Sequence, residues 1–354
     1  MRIWSVAPLT AVACAAFGAA GSAFADTAER VSGPYVHENL AIYFVHGASA
    51  AGPVPLTLTE AVAKGLVQVL ETGQVNELKI ENTGDDEVFI QAGDMVKGGR
   101  QDRVLMVSLV LPPRSGMVPI ASFCVEPGRW SARGGEDATK FSSAREAMPS
   151  RKTLAIMATP SVSESGAPRP AGGPAVQSGG DTPTRQRRVW DEVAKMQADL
   201  SAGVNASVAA PQSTSSLQLA LEHGKLSEAR QSYVAALEPA GVKDGDVIGY
   251  VVAINGRPVS ANLYPSNALF QKMWNKLLTA AVTEAIGERV AAGATVPPPA
   301  SAALEFLKTA EKGAGQERET ILHLRQETRE GDATLYSETR RPTGGWLHKN
   351  YLAK

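Results

Sequence analysis

The sequence predicts an α+β fold, a mainly antiparallel β-sheet with helices packed against it, and three observations carry that expectation. Period-two apolar alternation dominates from Asn39 to Trp130, helical periodicity dominates from Arg185 to Gly313 around a single hairpin, and alternation returns in the C-terminal tail. Strands and helices that segregate along a chain in this way build an α+β domain, whereas regular βαβ alternation would build a parallel sheet.

The first 25 residues read as a secretory leader: a basic start at Arg2, an apolar stretch, and Ala23-Phe24-Ala25 before Asp26 as an A-x-A cleavage site. A membrane anchor would need about 20 unbroken apolar residues, and Pro8 and several glycines dilute this stretch. Lipid attachment at Cys14 would want a bulky aliphatic residue where Ala11 stands. The mature chain, 26–354, is therefore expected in the periplasm or secreted, with no membrane span after cleavage.

In the first alternating region, "NLAIYFVH", "NELKIEN", "EVFIQAG", "RVLMVSLVLP" and "MVPIASFCV" read as strands, with "ENTGDDE" closing a hairpin. Between the first two, "TLTEAVAKGLVQVLETG" reads as one helix. Thr57 and Glu60 are spaced as its capping box, Leu58, Val62, Leu66 and Val69 form one face, and Gly73 ends it. Residues 161–184 are rich in Pro, Gly and Ser and lack the apolar surface to offset the entropy of ordering them, so they read as an exposed linker or loop inside one domain. A lid that orders over ligand is the alternative.

Helices follow in "RQRRVWDEVAKMQADLS", with Val189, Val193, Met196 and Leu200 on one face, and in "LSEARQSYVAALEPAG". "DVIGYVVAINGRPVSANLY" is a hairpin whose Asn255-Gly256 suits a type I′ turn. "SNALFQKMWNKLLTAAVTEAIG" and "SAALEFLKTAEKG" are helices, and the tail alternates around Glu330-Gly331-Asp332.

Composition excludes several functions. The formal charge is −1, or −2 once Arg2 leaves with the leader, which argues against nucleic acid as a partner. Cys124 is then the only cysteine, so no internal disulfide is expected. The sequence has no H-E-x-x-H, C-x-x-C, P-loop or S-x-x-K pattern, and "GASAA" at Gly47 lacks the closing glycine of a nucleophile elbow. The five histidines stand singly, so neither a metal nor another cofactor is expected.

Two stretches hold more charge than a turn requires. "GDMVKGGRQDR" offers an anion-binding nest at Gly98 and Gly99, with Lys97, Arg100 and Arg103 supplying positive charge. "CVEPGRW" places Glu126, Arg129 and Trp130 at a strand end, joining an acid or base, a bidentate anion ligand and a stacking surface. Both have a structural alternative, in which Glu126 pairs with Arg103 or Arg129 and Trp130 caps the core. Cys124 fits either a site or the core.

These segments, with "VWDEV", "VVAINGRPVSANLYPS" and "FQKMWNKLL", occur in the order seen in the ADP-ribosylglycohydrolase and rhodanese-phosphatase-superfamily-associated protein domain, which the chain resembles from about Asn39 to Ile286. The family-like positions are Gly93, Lys97, Gln101, Arg103, Cys124, Glu126, Arg129, Trp130, Trp190, Asn255 and Gly256. The resemblance implies one continuous domain and a ligand of the nucleotide or phosphoester class. The export leader and the long insertion before Trp190 depart from the family pattern.

The expected function is binding of a small anionic, phosphorylated or nucleotide-like ligand by Lys97, Gln101, Arg103, Arg129 and Trp130, with Glu126 as the candidate catalytic residue if hydrolysis occurs. The alternative is a non-catalytic envelope scaffold or protein-interaction module. A ligand site requires Lys97, Arg103, Arg129 and Trp130 to converge on an open cavity; a scaffold would have them mutually paired.

Overall fold

The computed structural model describes residues 30–159, 182–289 and 295–354. The expected leader lies outside these residues, as do residues 161–181 of the Pro/Gly/Ser-rich segment. Its last three residues, 182–184, are not loop but the first turn of a helix.

The first part of the chain runs β1 (Arg30–His37), β2 (Leu40–His46), β3 (Leu56–Thr57), α1 (Leu58–Ala63), β4 (Val67–Glu71), β5 (Glu77–Asn82) and β6 (Val88–Ile90). It continues through β7 (Asp94–Gly98), β8 (Arg103–Leu105), β9 (Leu109–Leu111), β10 (Gly116–Cys124), β11 (Lys140–Ala147) and α2 (Arg151–Ala158). Then come α3 (Thr182–Gly203), α4 (Leu217–Leu221), α5 (Gly224–Gly241), β12 (Val247–Ile254), β13 (Arg257–Leu263), α6 (Asn267–Gly287) and α7 (Ala300–Ala310). The tail is β14 (Ala314–Glu319), β15 (Arg325–Glu330), β16 (Thr334–Arg340) and β17 (Trp346–Ala353).

These strands form an eight-stranded sheet, β1-β2-β12-β13-β17-β16-β15-β14, a closed six-stranded barrel, β10-β5-β4-β11-β7-β8, and a small sheet, β3-β6-β9. The fold is α+β and mainly antiparallel; β3 and β6 pair in parallel. The large sheet is covered on both faces. On one side Phe270 and Trp274 of α6 meet Phe44 and Tyr250, with Trp274 ring centroids 5.2 and 5.5 Å away. On the other, Ala303, Leu307 and Ala310 of α7 cover Ala41, Tyr43 and Val45. That double cover is why every residue of β2 is buried. The main apolar core joins residues from before and after the Pro/Gly/Ser-rich segment, so the chain forms one domain.

Several elements follow the sequence expectation. Val189, Val193, Met196 and Leu200 of α3 are buried, and the Asn255-Gly256 turn has φ of +50° and +78°. The expected helix over "TLTEAVAKGLVQVLETG" needs correction. Its capping box forms, but Gly65 at φ +69° stops the helix, and "VQVLE" alternates buried Val67 and Val69 with exposed Gln68 as strand β4. Period two thus overrides the apparent helical face. "ENTGDDE" closes no hairpin either: β5 pairs with β4 and β10, while β6 leaves for the small sheet. The Asn82 side chain makes the exit, its amide donating to Asp86 O (2.8 Å) and Pro112 O (2.9 Å). "RVLMVSLVLP" divides into β8 and β9, one in each sheet. The elements β1, β3, β7, β11, β14, α2 and α4 were not expected.

Candidate functional site

"GDMVKGGRQDR" is not the open turn its glycines suggest. Asp94 to Gly98 are strand β7, and the reversal into β8 is confined to residues 99–102. Gly98 (φ +118°) and Gly99 (φ +54°) lie against β11, where a Cβ on Gly99 would fall 2.2 Å from the Phe141 ring. The nest amides are committed. Gly98 N–H donates to Asp102 Oδ1 (3.0 Å) and Gly99 N–H to Lys140 O (3.1 Å), so the anion held at this turn is the protein's own Asp102 carboxylate.

Asp102 and Glu126 are both 0 % exposed and share two arginines. Arg133 Nη1 lies 3.0 Å from Asp102 Oδ2 and 3.1 Å from Glu126 Oε1, and its Nη2 reaches Glu136 at 2.9 Å. Arg129 Nη2 lies 2.5 Å from Glu126 Oε2 and 3.5 Å from Asp102 Oδ1, and Arg129 Nη1 donates to the carbonyls of Gly99 and Ser131. Ser216 Oγ, the N-cap of α4, donates to Asp102 Oδ2 (2.8 Å), and Asp102 N–H donates to Glu126 Oε2 (3.2 Å). The network therefore ties the β7–β8 turn, the loop after β10 and the start of α4 into one buried unit.

The two carboxylates shift in opposite directions. Burial, reinforced by the neighbouring Glu126 charge, raises the Asp102 pKa above the ordinary aspartate value. Burial also pushes Glu126 upward, but hydrogen bonds from Arg129, Ser213 and the Asp102 amide outweigh it, leaving Glu126 below the ordinary value and anionic. Both Glu126 oxygens are bound to arginine and neither lines the neighbouring cleft.

The other expected site residues divide. Gln101 is buried and its Nε2 donates to Glu126 O (2.7 Å). Arg103 is 0 % exposed; it donates to Gln101 O (2.8 Å) and faces Glu71 at 3.3 Å. Lys97 turns away, both carboxylate oxygens of Glu222 lying 2.8 Å from its Nζ. The anticipated convergence of Lys97, Arg103, Arg129 and Trp130 on one cavity is thus reduced to Arg129 and Trp130. These line an open cleft of about 1040 Å³ with Arg133, Glu136 and the loop Pro211–Ser215. Trp130 is 42 % exposed, and the guanidinium carbons of Arg100 and Arg103 lie 5.4 and 5.7 Å from its ring centroid. The Arg100 backbone N–H donates to Glu71 Oε2 (3.3 Å), while its guanidinium makes no ion pair with a carboxylate among the described residues.

Residues 29–352 match the ARG and Rhodanese-Phosphatase-superfamily-associated Protein domain. The chain belongs to that family. Comparison with curated proteins and with solved structures gives no match.

In this family member Cys124 belongs to the core. Its Sγ is buried and donates to Val75 O (3.3 Å), and burial pushes the thiol up to about 12, which favours the neutral thiol near neutrality. The family-like Gly93 sits at φ +97°, while Trp190 lies half-buried on α3. Asp102, Arg133, Ser216, Glu136 and Glu71 were not singled out from the sequence. The only local hint was the density of charge around Asp102 and the "RWSARGG" run ending near Arg133; Ser216 is distant in sequence and carries no signal.

Two further polar features lie in the interior. Ser108, His348 and Asn262 form a chain, with Ser108 Oγ 2.9 Å from His348 Nδ1 and His348 Nε2 3.0 Å from Asn262 Oδ1. All three are buried and burial pushes His348 down to about 3, so the imidazole is neutral and structural. A cavity of about 40 Å³ lies beside Tyr250, Asn262 and Glu284. No group of three or more His, Cys, Asp or Glu residues with metal-binding geometry occurs among the described residues. No described helix is long and apolar enough to cross a membrane.

Proposed function

We propose that this exported domain binds a small anionic, phosphorylated or nucleotide-like ligand in the Trp130 cleft, as a binding module without hydrolysis at Glu126. One observation supports this reading above the others: an exposed tryptophan lining an open cleft, with the Arg100 guanidinium beside its ring and in no ion pair among the described residues. Trp130 offers a flat face to a planar ring, and Arg100 supplies the charge for a phosphate. Arg129 and Arg133 hold the wall, their donors already committed to Asp102 and Glu126. ADP-ribose, adenine nucleotides and phosphosugars form the first set of probes, because the first two join a flat ring to phosphate and the third tests phosphate without one.

Calorimetric titration of the mature protein with these probes tests the assignment. Trp130→Ala and Arg100→Ala are each expected to weaken binding at least tenfold while leaving the denaturation midpoint nearly unchanged, because neither side chain closes a buried ion pair. Equal affinity in wild type and both variants would remove the cleft as the site.

The mutual pairing of Lys97, Arg103 and the buried arginines favours a second reading, a protein-interaction scaffold with no small ligand. Under it, no probe in the set binds and the cleft takes a peptide segment instead. Export is part of either reading. Mass spectrometry of the periplasmic or secreted fraction is expected to find Asp26 as the new N-terminus, and full-length protein retained in the cytoplasm would contradict it.

A further inference from the structure

Residues from β3–α1, β7, β11 and α6 meet at a cavity that shares no lining residue with the Trp130 cleft. "TLTE" contributes Thr57, Thr59 and Glu60, β7 contributes Asp94, and "FQKMWNK" contributes Lys272 and Lys276 from α6; Arg145 enters from β11. The cavity measures about 280 Å³. Lys272 Nζ lies 3.2 Å from Glu60 Oε2, and Lys276 Nζ lies 2.5 Å from Asp94 Oδ1. Asp94 is further tied down by the Gln91 amide, and Glu60 by the Thr57 amide and the capping box. Each carboxylate is thus held in place by backbone as well as by its lysine. Arg145 is exposed and has no hydrogen bond or ion pair among the described residues.

Three cations therefore face two carboxylates across one cavity, and the surplus charge resides on the one guanidinium whose donors are all uncommitted. A planar guanidinium matches two oxygens of a phosphate at once, and the lysines can add single donors from the opposite wall. We propose that this cavity is a phosphate-binding site, taking free phosphate or a small phosphomonoester between Arg145 and the Lys272–Lys276 face of α6. It does not depend on the Trp130 cleft: the ligand needs no aromatic ring, and the two sites have no lining residue in common.

Phosphate stabilises proteins in general through exclusion from their surfaces, so a rise in melting temperature alone is not diagnostic. The test is a comparison at constant ionic strength. Inorganic phosphate and glycerol 3-phosphate are titrated into wild type, Arg145→Ala, Lys272→Met and Trp130→Ala, with affinity read by calorimetry and phosphorus NMR. Saturable binding is expected in wild type and Trp130→Ala, weakened at least tenfold in Arg145→Ala and more mildly in Lys272→Met. The Arg145 side chain makes no hydrogen bond or ion pair among the described residues, so its variant is expected to fold, and its melt without phosphate serves as the control. Tighter binding of glycerol 3-phosphate would assign the site to phosphomonoesters, and equal binding to free phosphate. The proposal is overturned if wild type and Arg145→Ala titrate alike, or if neither probe saturates wild type. A loss confined to Trp130→Ala would also overturn it, by moving phosphate to the cleft.

Discussion

Arg133→Ala is expected to lower the stability of the folded domain by about 3 to 5 kcal/mol, because it leaves two buried carboxylates short of their counter-charge. Arg133 touches Asp102, Glu126 and Glu136, and the first two have no access to water. Its Nη1 also lies 3.1 Å from Ser216 Oγ, so the start of α4 loses a partner in the same step. Arg103→Ala acts through the same physics, stranding Glu71, whose side chain is almost fully buried. Urea unfolding followed by circular dichroism measures both. A loss below about 1 kcal/mol, the range of surface ion pairs, would mean that water reaches the carboxylates in solution. Combining Arg133→Ala with Asp102→Asn should recover part of the loss, since the second change removes one of the stranded charges.

The second large effect is on pH dependence and comes from Glu284 of α6. Burial pushes its carboxyl up to about 7 against the pull of Arg151, whose backbone N–H and Nη1 both bind Oε1 (3.0 and 2.9 Å). Glu288, which also pairs with Arg151, adds to the rise. A carboxyl with a raised folded-state pKa binds its proton more tightly when folded. Its contribution is therefore complete below the unfolded value near 4.5 and is lost as pH climbs through about 7. Between these limits wild type is expected to lose about 3 kcal/mol that Glu284→Gln does not, since the variant has no proton to release. Denaturant melts from pH 4 to pH 8 measure the difference between the two curves, and this difference cancels the titration of Asp102 and other groups common to both. Parallel curves would show that Glu284 ionises at an ordinary pKa inside the fold.

The two effects bear differently on function. The Asp102–Arg133 network fixes the wall on which Trp130 is displayed, so stability lost there should carry binding at the cleft with it. Glu284 lies beside the small interior cavity and lines neither the cleft nor the Arg145 cavity. Its titration should change stability while leaving affinity at both proposed sites unaltered.

The α+β class, the Asn255-Gly256 hairpin, the buried face of α3, the helix α6 and the two charged stretches were all legible in the order of residues along the chain. Each of these is set within a few turns of chain, by apolar period, turn chemistry or local charge. Helix against strand at "GLVQVLE" was decided by tertiary structure: Val69 fits the helical face with Leu66 and equally the period-two pattern with Val67, and the choice was made by β5 offering partners at Asn82 and Ile80. The partner of every charge was decided there too. Arg103 found Glu71, Lys97 found Glu222, and Asp102 took the nest amide that an outside anion would have needed. Buried charge must be compensated wherever the fold brings an opposite charge within reach, and reach in space is unrelated to distance along the chain. A run of basic residues therefore marks where charge is gathered, and only the folded arrangement leaves the guanidinium groups of Arg100 and Arg145 without a carboxylate partner among the described residues.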